Sequence, residues 1–277
     1  MKKPVSLLLA ALLLLSMSAC SKSEPSKGGL QESNTLVDTD QYRFHVASVS
    51  EFDSSGCVLA LELENRTETA LLFSATNASV NGCMIDPQFS ESVSGGEATE
   101  SRMIFDLQQL ADYGIEQVTE IAFNLCIYDE YNYEEPLLDQ LFTLYPHGKE
   151  AVSYQTREKQ STDIVLLDDE NCSIIVTGYD PDSFWGYDLY VYLLNKTDST
   201  LLFSAKDVSV NGTPCDPYWS ATVAPGKCSN TVVYWFDNTL ADAGIDQIEK
   251  ILMTLTATDV KSWPDGTIAT KTVTFTP

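Results

Sequence analysis

The sequence predicts an all-β protein built as two tandem sandwiches, and three observations carry that prediction. Apolar and polar residues alternate with period two in many short segments. Asn-Gly pairs stand between apolar-rich runs. The second half of the chain also repeats the first at a constant spacing of 130 residues.

The repetition is read directly. Leu71-Leu72-Phe73-Ser74-Ala75 returns as Leu201-Leu202-Phe203-Ser204-Ala205, and Ser79-Val80-Asn81-Gly82 as Ser209-Val210-Asn211-Gly212. Asp86-Pro87 returns as Asp216-Pro217, and Leu110-Ala111-Asp112 as Leu240-Ala241-Asp242. No gap is needed from about Tyr42 to Asp129. A spacing this long exceeds any solenoid repeat, so each copy is expected to be a whole domain. The expected division places repeat one at 34–146, a linker rich in turn and polar residues at 147–161, and repeat two at 162–277.

Within each copy the strands follow from alternation, with one face on a core and the other in water. Leu59, Leu61 and Leu63 alternate with Ala60, Glu62 and Glu64; the second copy keeps Leu189, Val191 and Leu193 inward. Ile121, Phe123, Leu125 and Ile127 form a second such run, echoed by Ile251, Met253 and Leu255. Met103 and Phe105 correspond to Val233 and Trp235. Asn81-Gly82 and Asn211-Gly212 supply the two positive φ values of a type I′ hairpin turn. Gly96 and Gly226 mark a second turn. Leu107 to Tyr113, closed by Gly114, reads as a short helix with a glycine stop, copied at about Asn238 to Ala243. Asp168 to Asn171 reads as another hairpin turn. Short strands at this spacing, with one crossing helix each, predict two tandem immunoglobulin-like β-sandwich domains.

The motif set combines N-x-T, L-L-F-S-A, S-V-N-G, D-P and L-A-D-x-G-I. It resembles the DUF4352/DUF5067-type immunoglobulin-like domains found in lipoproteins of Gram-positive bacteria. The resemblance covers both repeats. Its motifs are turns, core strands and a helix cap, so it implies a fold and a location and brings no catalytic residue.

The N-terminus gives an address. Lys2 and Lys3 precede an apolar run from Leu7 to Leu15, too short for a bilayer-spanning helix and suited to a secretory signal at 1–19. Ser18-Ala19-Cys20 then resembles the lipobox of bacterial lipoproteins, although Met17 stands where leucine is usual. In that family the cysteine thiol is acylated, which makes Cys20 the expected lipidation site and the lipid the expected membrane anchor. Residues 20–33 are rich in Ser, Gly, Pro and charge, the composition of a flexible tether. The expected location is therefore extracytoplasmic, lipid-anchored to the cell membrane.

The net charge of −24 argues against nucleic acid as a partner, because phosphate binding needs a basic footprint. The chain holds two histidines. His45 lies in a strand where the other repeat has Ile175, and His147 lies in the linker. No H-E-x-x-H, G-x-S-x-G, phosphate loop or dinucleotide fingerprint is present. With 40 acidic residues, carboxylate pairs carry no information, and Asp86 and Asp216 before proline suit turns. No enzyme activity, cofactor or metal is expected.

Seven cysteines leave three per repeat once Cys20 is acylated, and none coincides between copies. Strand parity puts Cys57 inward and Cys126 outward, so no bridge is expected between them. Cys215–Cys228 is the best remaining pair, although most thiols are expected to stay unbridged.

Two segments are candidate binding surfaces. Tyr128, Tyr131 and Tyr133 punctuate an acidic loop in repeat one. In repeat two, Tyr190 and Tyr192 point outward by parity where repeat one has Ala60 and Glu62, and Trp185 lies in the neighbouring loop. Tyrosine offers contact area at low entropic cost, so repeat two is the expected seat of specialised binding. The class expected is a surface binding or adhesion module for an envelope protein, peptide or glycan. A structural spacer or accessory subunit is the alternative, and a hydrolase with an unrecognised site is the third reading.

Overall fold

A computed structural model describes residues 35–277; Cys20, the signal segment and the whole tether lie outside the described residues. In the N-terminal half, β1 (Thr35–Asp38), β2 (Tyr42–Asp53), β3 (Gly56–Asn65) and β7 (Ala98–Asp106) form one antiparallel sheet in the order β1-β2-β3-β7. Against it lies β5 (Cys83–Met84), β4 (Leu71–Val80), β8 (Ile121–Asp129) and β9 (Leu138–Leu144), in that order, with β6 (Ser90–Val93) on β4. The C-terminal half repeats the plan. Its front sheet is β10 (Ile164–Asp168), β11 (Cys172–Ser183), β12 (Gly186–Asn195) and β16 (Cys228–Phe236). Its back sheet is β14 (Thr213–Pro214), β13 (Leu201–Val210), β17 (Ile251–Asp259) and β18 (Thr267–Phe275), with β15 (Ser220–Val223) on β13. Many strand bounds coincide at the 130-residue spacing, among them β3 with β12 and β4 with β13. This is the all-β sandwich architecture that the alternation predicts.

Two hydrophobic clusters fill the two sandwiches. Leu59, Leu61 and Leu63 are buried in one, together with Phe44, Phe73, Phe105 and Phe123. Leu189, Val191 and Leu193 are buried in the other, with Phe203 and Trp235. Each such side chain contributes about 1.5–3 kcal/mol by leaving water.

The turns form as the local chemistry dictates. Asn81 and Gly82 have φ of 48° and 84°, and Asn211 and Gly212 have 53° and 86°. Asp169 Oδ1 accepts from the backbone of Asn171 and Cys172, which closes the β10–β11 turn. Pattern reading overlooks Gly56 and Gly186. A Cβ there would lie 2.0 Å from the Phe105 carbonyl oxygen and 2.2 Å from that of Trp235, so only glycine fits.

The N-x-T motifs turn out to be buried polar knots. Asn65 and Asn195 are 0% exposed. Asn65 donates to the Thr69 and Val93 carbonyls and accepts from the Thr67 amide and hydroxyl. Asn195 does the same with Ser199, Val223 and Thr197. Each asparagine, itself buried, has its amide satisfied by backbone groups of two loops and so ties those loops together.

The helices differ. In α1 (Leu107–Asp112) the Asp106 carboxylate caps the first turn by accepting from the Gln108 and Gln109 amides. In α2 (Asp237–Asp242) the cap position is Phe236, with no side-chain cap. That difference adds an aromatic ring to the surface of the second half.

Among the described residues one parallel bridge joins strands of the two halves, Cys83 of β5 beside Cys228 of β16, sealed by the Cys228 amide donating to the Gly82 carbonyl at 2.9 Å. The connecting segment, linker-like in composition, is strapped to the N-terminal sandwich. Ser153 N donates to Thr119 Oγ1, Gln155 N to the Asn81 carbonyl, and the Tyr154 hydroxyl to Glu120 Oε2.

Candidate functional site

The front sheet of the C-terminal sandwich presents the surface that most distinguishes the two halves. Alternation sends Tyr187, Leu189, Val191 and Leu193 of β12 into the core, so Asp188, Tyr190, Tyr192 and Leu194 point outward. On the adjacent β16 the outward set is Cys228, Asn230, Val232, Tyr234 and Phe236. The register pairs Leu194 with Cys228, Tyr192 with Asn230, Tyr190 with Val232, Asp188 with Tyr234 and Gly186 with Phe236.

One end of this face is covered. Leu194 and Ile175 pack against the core of the N-terminal sandwich, and Tyr192, expected at the surface, is 7% exposed within that same cluster. This corrects the expectation of an open Tyr190–Tyr192 pair. The side chain does point out of its own sandwich, but the other sandwich covers it. Burial raises its hydroxyl pKa. Beside it the Tyr113 hydroxyl accepts from Asn230 N at 2.6 Å and donates to the Met84 carbonyl at 3.2 Å. Lys227 Nζ meets Glu120 Oε1 at 2.6 Å, with side-chain exposures of 16% and 6%, and lies 5.0 Å from the Tyr154 ring centroid.

Where the cover ends, a cleft of about 820 Å³ opens. Tyr190, Tyr192 and Val232 form its floor; Tyr113 and Gly114 form one wall, and Gln155, Arg157, Glu158 and Gln160 of the connecting segment overhang it. Arg157 in that overhang is held by a bidentate pair with Asp163, at 2.7 and 2.6 Å, and stands 5.7 Å from the Tyr192 ring centroid. The Arg157 guanidinium holds the Asp163 carboxyl below its ordinary pKa. The arginine is thus neutralised, and the cleft offers aromatic faces, amides and hydroxyls rather than net positive charge.

Beyond Tyr190 the face is open and aromatic. Tyr234 stands 5.1 Å from Tyr218 and 5.1 Å from Phe236, centroid to centroid, and Phe184 packs edge-on to Trp185 at 4.7 Å. Phe184, Trp185 and Tyr218 are 87%, 64% and 67% exposed. Repeat one has Ser54, Ser55, Gln88, Ile104 and Asp106 in place of Phe184, Trp185, Tyr218, Tyr234 and Phe236. Sequence reading finds Trp185 and Tyr190 but overlooks Tyr218, Tyr234, Phe236 and Arg157. The 130-residue spacing could have shown the first three, once β12 and β16 are known to be neighbours.

The tyrosine loop of repeat one stands apart, between β8 and β9. Tyr131 and Tyr133 are exposed, and the Tyr128 and Tyr133 rings are 6.0 Å apart. Asp129 shapes the turn by accepting from Tyr131 N, which lowers its carboxyl pKa. No exposed ring of the front sheet touches this loop through a ring contact.

The cysteines also differ in part from expectation. Cys57 faces the N-terminal core, while Cys126 is buried on the outer face of its sheet beside Thr76 and Asp139. Cys215 lies in the C-terminal core. Cys228 points instead to Cys83 of the other sandwich, so the Cys215–Cys228 pairing is overturned: Cys228 lies on the outward face of β16.

Among the described residues no three His, Cys, Asp or Glu side chains gather as a metal site, and no helix is long and apolar enough to cross a membrane. No protein-family model matches the chain, and no curated protein matches it. Among solved structures, a crystal structure of the YadV chaperone aligns at 12% identity over 79% of this chain and 92% of that chain, with a TM-score of 0.21. A superposition this loose bears on neither function nor partner.

Proposed function

We propose that the chain is a lipid-anchored, extracytoplasmic binding or adhesion module without catalytic activity, which engages an envelope protein, peptide or glycan through the outer face of its C-terminal front sheet. One observation carries this reading: exposed Tyr218, Phe236 and the Phe184–Trp185 pair, with half-buried Tyr234 between Tyr218 and Phe236, form an aromatic surface that the other repeat lacks. Exposed aromatic surface of this extent is the mark of an interaction site. Asp188, Asp216 and Asp237 flank it in sequence, and the whole chain carries −24. A neutral or cationic partner suits that field better than an anionic one. The lipid on Cys20 would hold the surface at the membrane, and the tether would let it turn.

Glycan and peptide arrays probed with residues 28–277 test the reading. The intact protein is expected to bind ligands that a Tyr234→Ser, Phe236→Ser double variant binds at least tenfold more weakly. Equal binding by both proteins would move the site elsewhere. No binding on any array would favour the second reading, a structural spacer or accessory subunit, which the tight seating of the two sandwiches supports.

A further inference from the structure

Neither Cys83 nor Cys228 has a cysteine counterpart in the other repeat; the aligned residues are Thr213 and Ala98. The two lie 145 positions apart in sequence, yet their Sγ atoms are 3.1 Å apart. They are also ladder partners in the one parallel bridge between the sandwiches. Hydrogen bonds and an ion pair on either side hold the two backbones in place: Cys228 N to the Gly82 carbonyl, Asn230 N to the Tyr113 hydroxyl, and Lys227 to Glu120. A disulfide needs its sulfurs at about 2.05 Å, so they have to close by only about 1 Å.

We propose that Cys83 and Cys228 form a disulfide that staples the two sandwiches together, a redox-responsive crosslink in the lining of the cleft. The oxidant is a disulfide, either a small one such as glutathione disulfide or the disulfide of a thiol oxidoreductase. Cys228 is the attacking sulfur. The neighbouring Cys83 thiol, the Tyr192 hydroxyl and the Lys227 ammonium favour its thiolate, while Cys83, whose hydrogen bond and burial favour the thiol, holds its proton longer. Cys228 thiolate attacks one sulfur of the oxidant and releases the other as a thiolate. Cys83, deprotonating, then attacks Cys228 Sγ and displaces the second thiolate. The two cysteine protons end on the two released thiols, and the two electrons lost by the protein reduce the oxidant. Both cysteines line the cleft, which is the route of entry for a small oxidant. The crosslink is independent of whether the aromatic face binds anything.

The test uses the full-length chain, incubated with glutathione disulfide or with dithiothreitol, quenched in acid and alkylated under denaturing conditions. A non-reduced digest of the oxidised sample is expected to yield one peptide joining the Cys83 and Cys228 segments, absent after reduction. Oxidation is expected to raise Tm by roughly 5–10 °C, and C83S and C228S are each expected to abolish that rise. Alkylation of both cysteines after oxidation, or a bridge from either one to another cysteine, would overturn the proposal. Peptide mapping of the unsubstituted chain decides the matter even if neither serine variant folds.

Discussion

The same sheet face is acidic in one half of the molecule and apolar in the other. On β2, β3 and the approach to β7, the N-terminal sandwich carries His45, Glu62, Glu64, Glu97 and Ala98. At the same places the C-terminal sandwich carries Ile175, Tyr192, Leu194, Lys227 and Cys228. Glu62 and Glu64 stand at the surface, paired with Arg43 and Arg66. Their counterparts pack against the neighbouring sandwich. Two copies of one fold thus solve opposite problems. A face that meets water carries ionised groups, whose burial would cost several kcal/mol each. A face that meets protein gives up most of its charge, keeping Lys227 paired with Glu120, and gains area. The contact between the halves is head-to-tail, a kind of contact that can propagate from molecule to molecule. The acidic face on the first sandwich lacks the apolar groups that would receive another copy.

The sharpest way to break this comparison is to give the second face the residue of the first. Tyr192→Glu places a carboxylate in the N-terminal core cluster and is expected to cost about 3–5 kcal/mol, while the reciprocal Glu62→Tyr stays within about 0.5 kcal/mol. Denaturant unfolding reads both. Equal effects would mean that the two faces are not differently covered. The buried asparagines test the opposite point, what the halves share. Asn65→Ala and Asn195→Ala each strand buried backbone groups in the same loop pair, and each is expected to lose about 3 kcal/mol. A large difference in chemical denaturation would show that the matching hydrogen bonds are not energetically equivalent.

Lys227→Met removes the cation from a pair whose carboxylate is nearly buried. The expected cost is about 2 kcal/mol, below that of a fully buried pair because the lysine keeps some solvent contact. Lys250→Met is its control: Lys250 occupies in the second half the place of Glu120 in the first, it is exposed, and calorimetry should find almost no change. The smallest effect is at the helix caps. Asp106→Ala is expected to cost about 1 kcal/mol by removing the α1 cap. Phe236→Asp would supply the missing cap to α2 and stabilise by a similar amount or less, while removing one ring of the aromatic face. Thermal unfolding of the two variants separates the cap from the surface.

Much of this architecture is legible in the residue order. Period-two alternation locates β3, β8 and their copies; Asn-Gly locates two hairpins; Gly114 and Gly244 close the two helices, each with φ near +67°. These features depend on interactions within a few residues, or on which side of a strand a residue occupies. The candidate surface was legible only in part. Parity identifies Tyr190 and Tyr192 as outward, and both reach the cleft, yet Tyr190 is exposed while Tyr192 is almost wholly covered by the N-terminal sandwich. Tyr234 and Phe236 were not found, because they join Tyr190 only through the pairing of β12 with β16, whose positions lie some forty residues apart.

The sequence by itself determined the strands, the turns, the inward and outward side of each strand and the equivalence of the two halves, since backbone geometry enforces all of these locally. Tertiary structure alone decided which outward residues meet solvent. It buried Tyr192, left Phe184 and Trp185 open, and brought Cys83 to Cys228. Burial depends on what arrives from elsewhere in the chain, and that is fixed only when the two sandwiches pack.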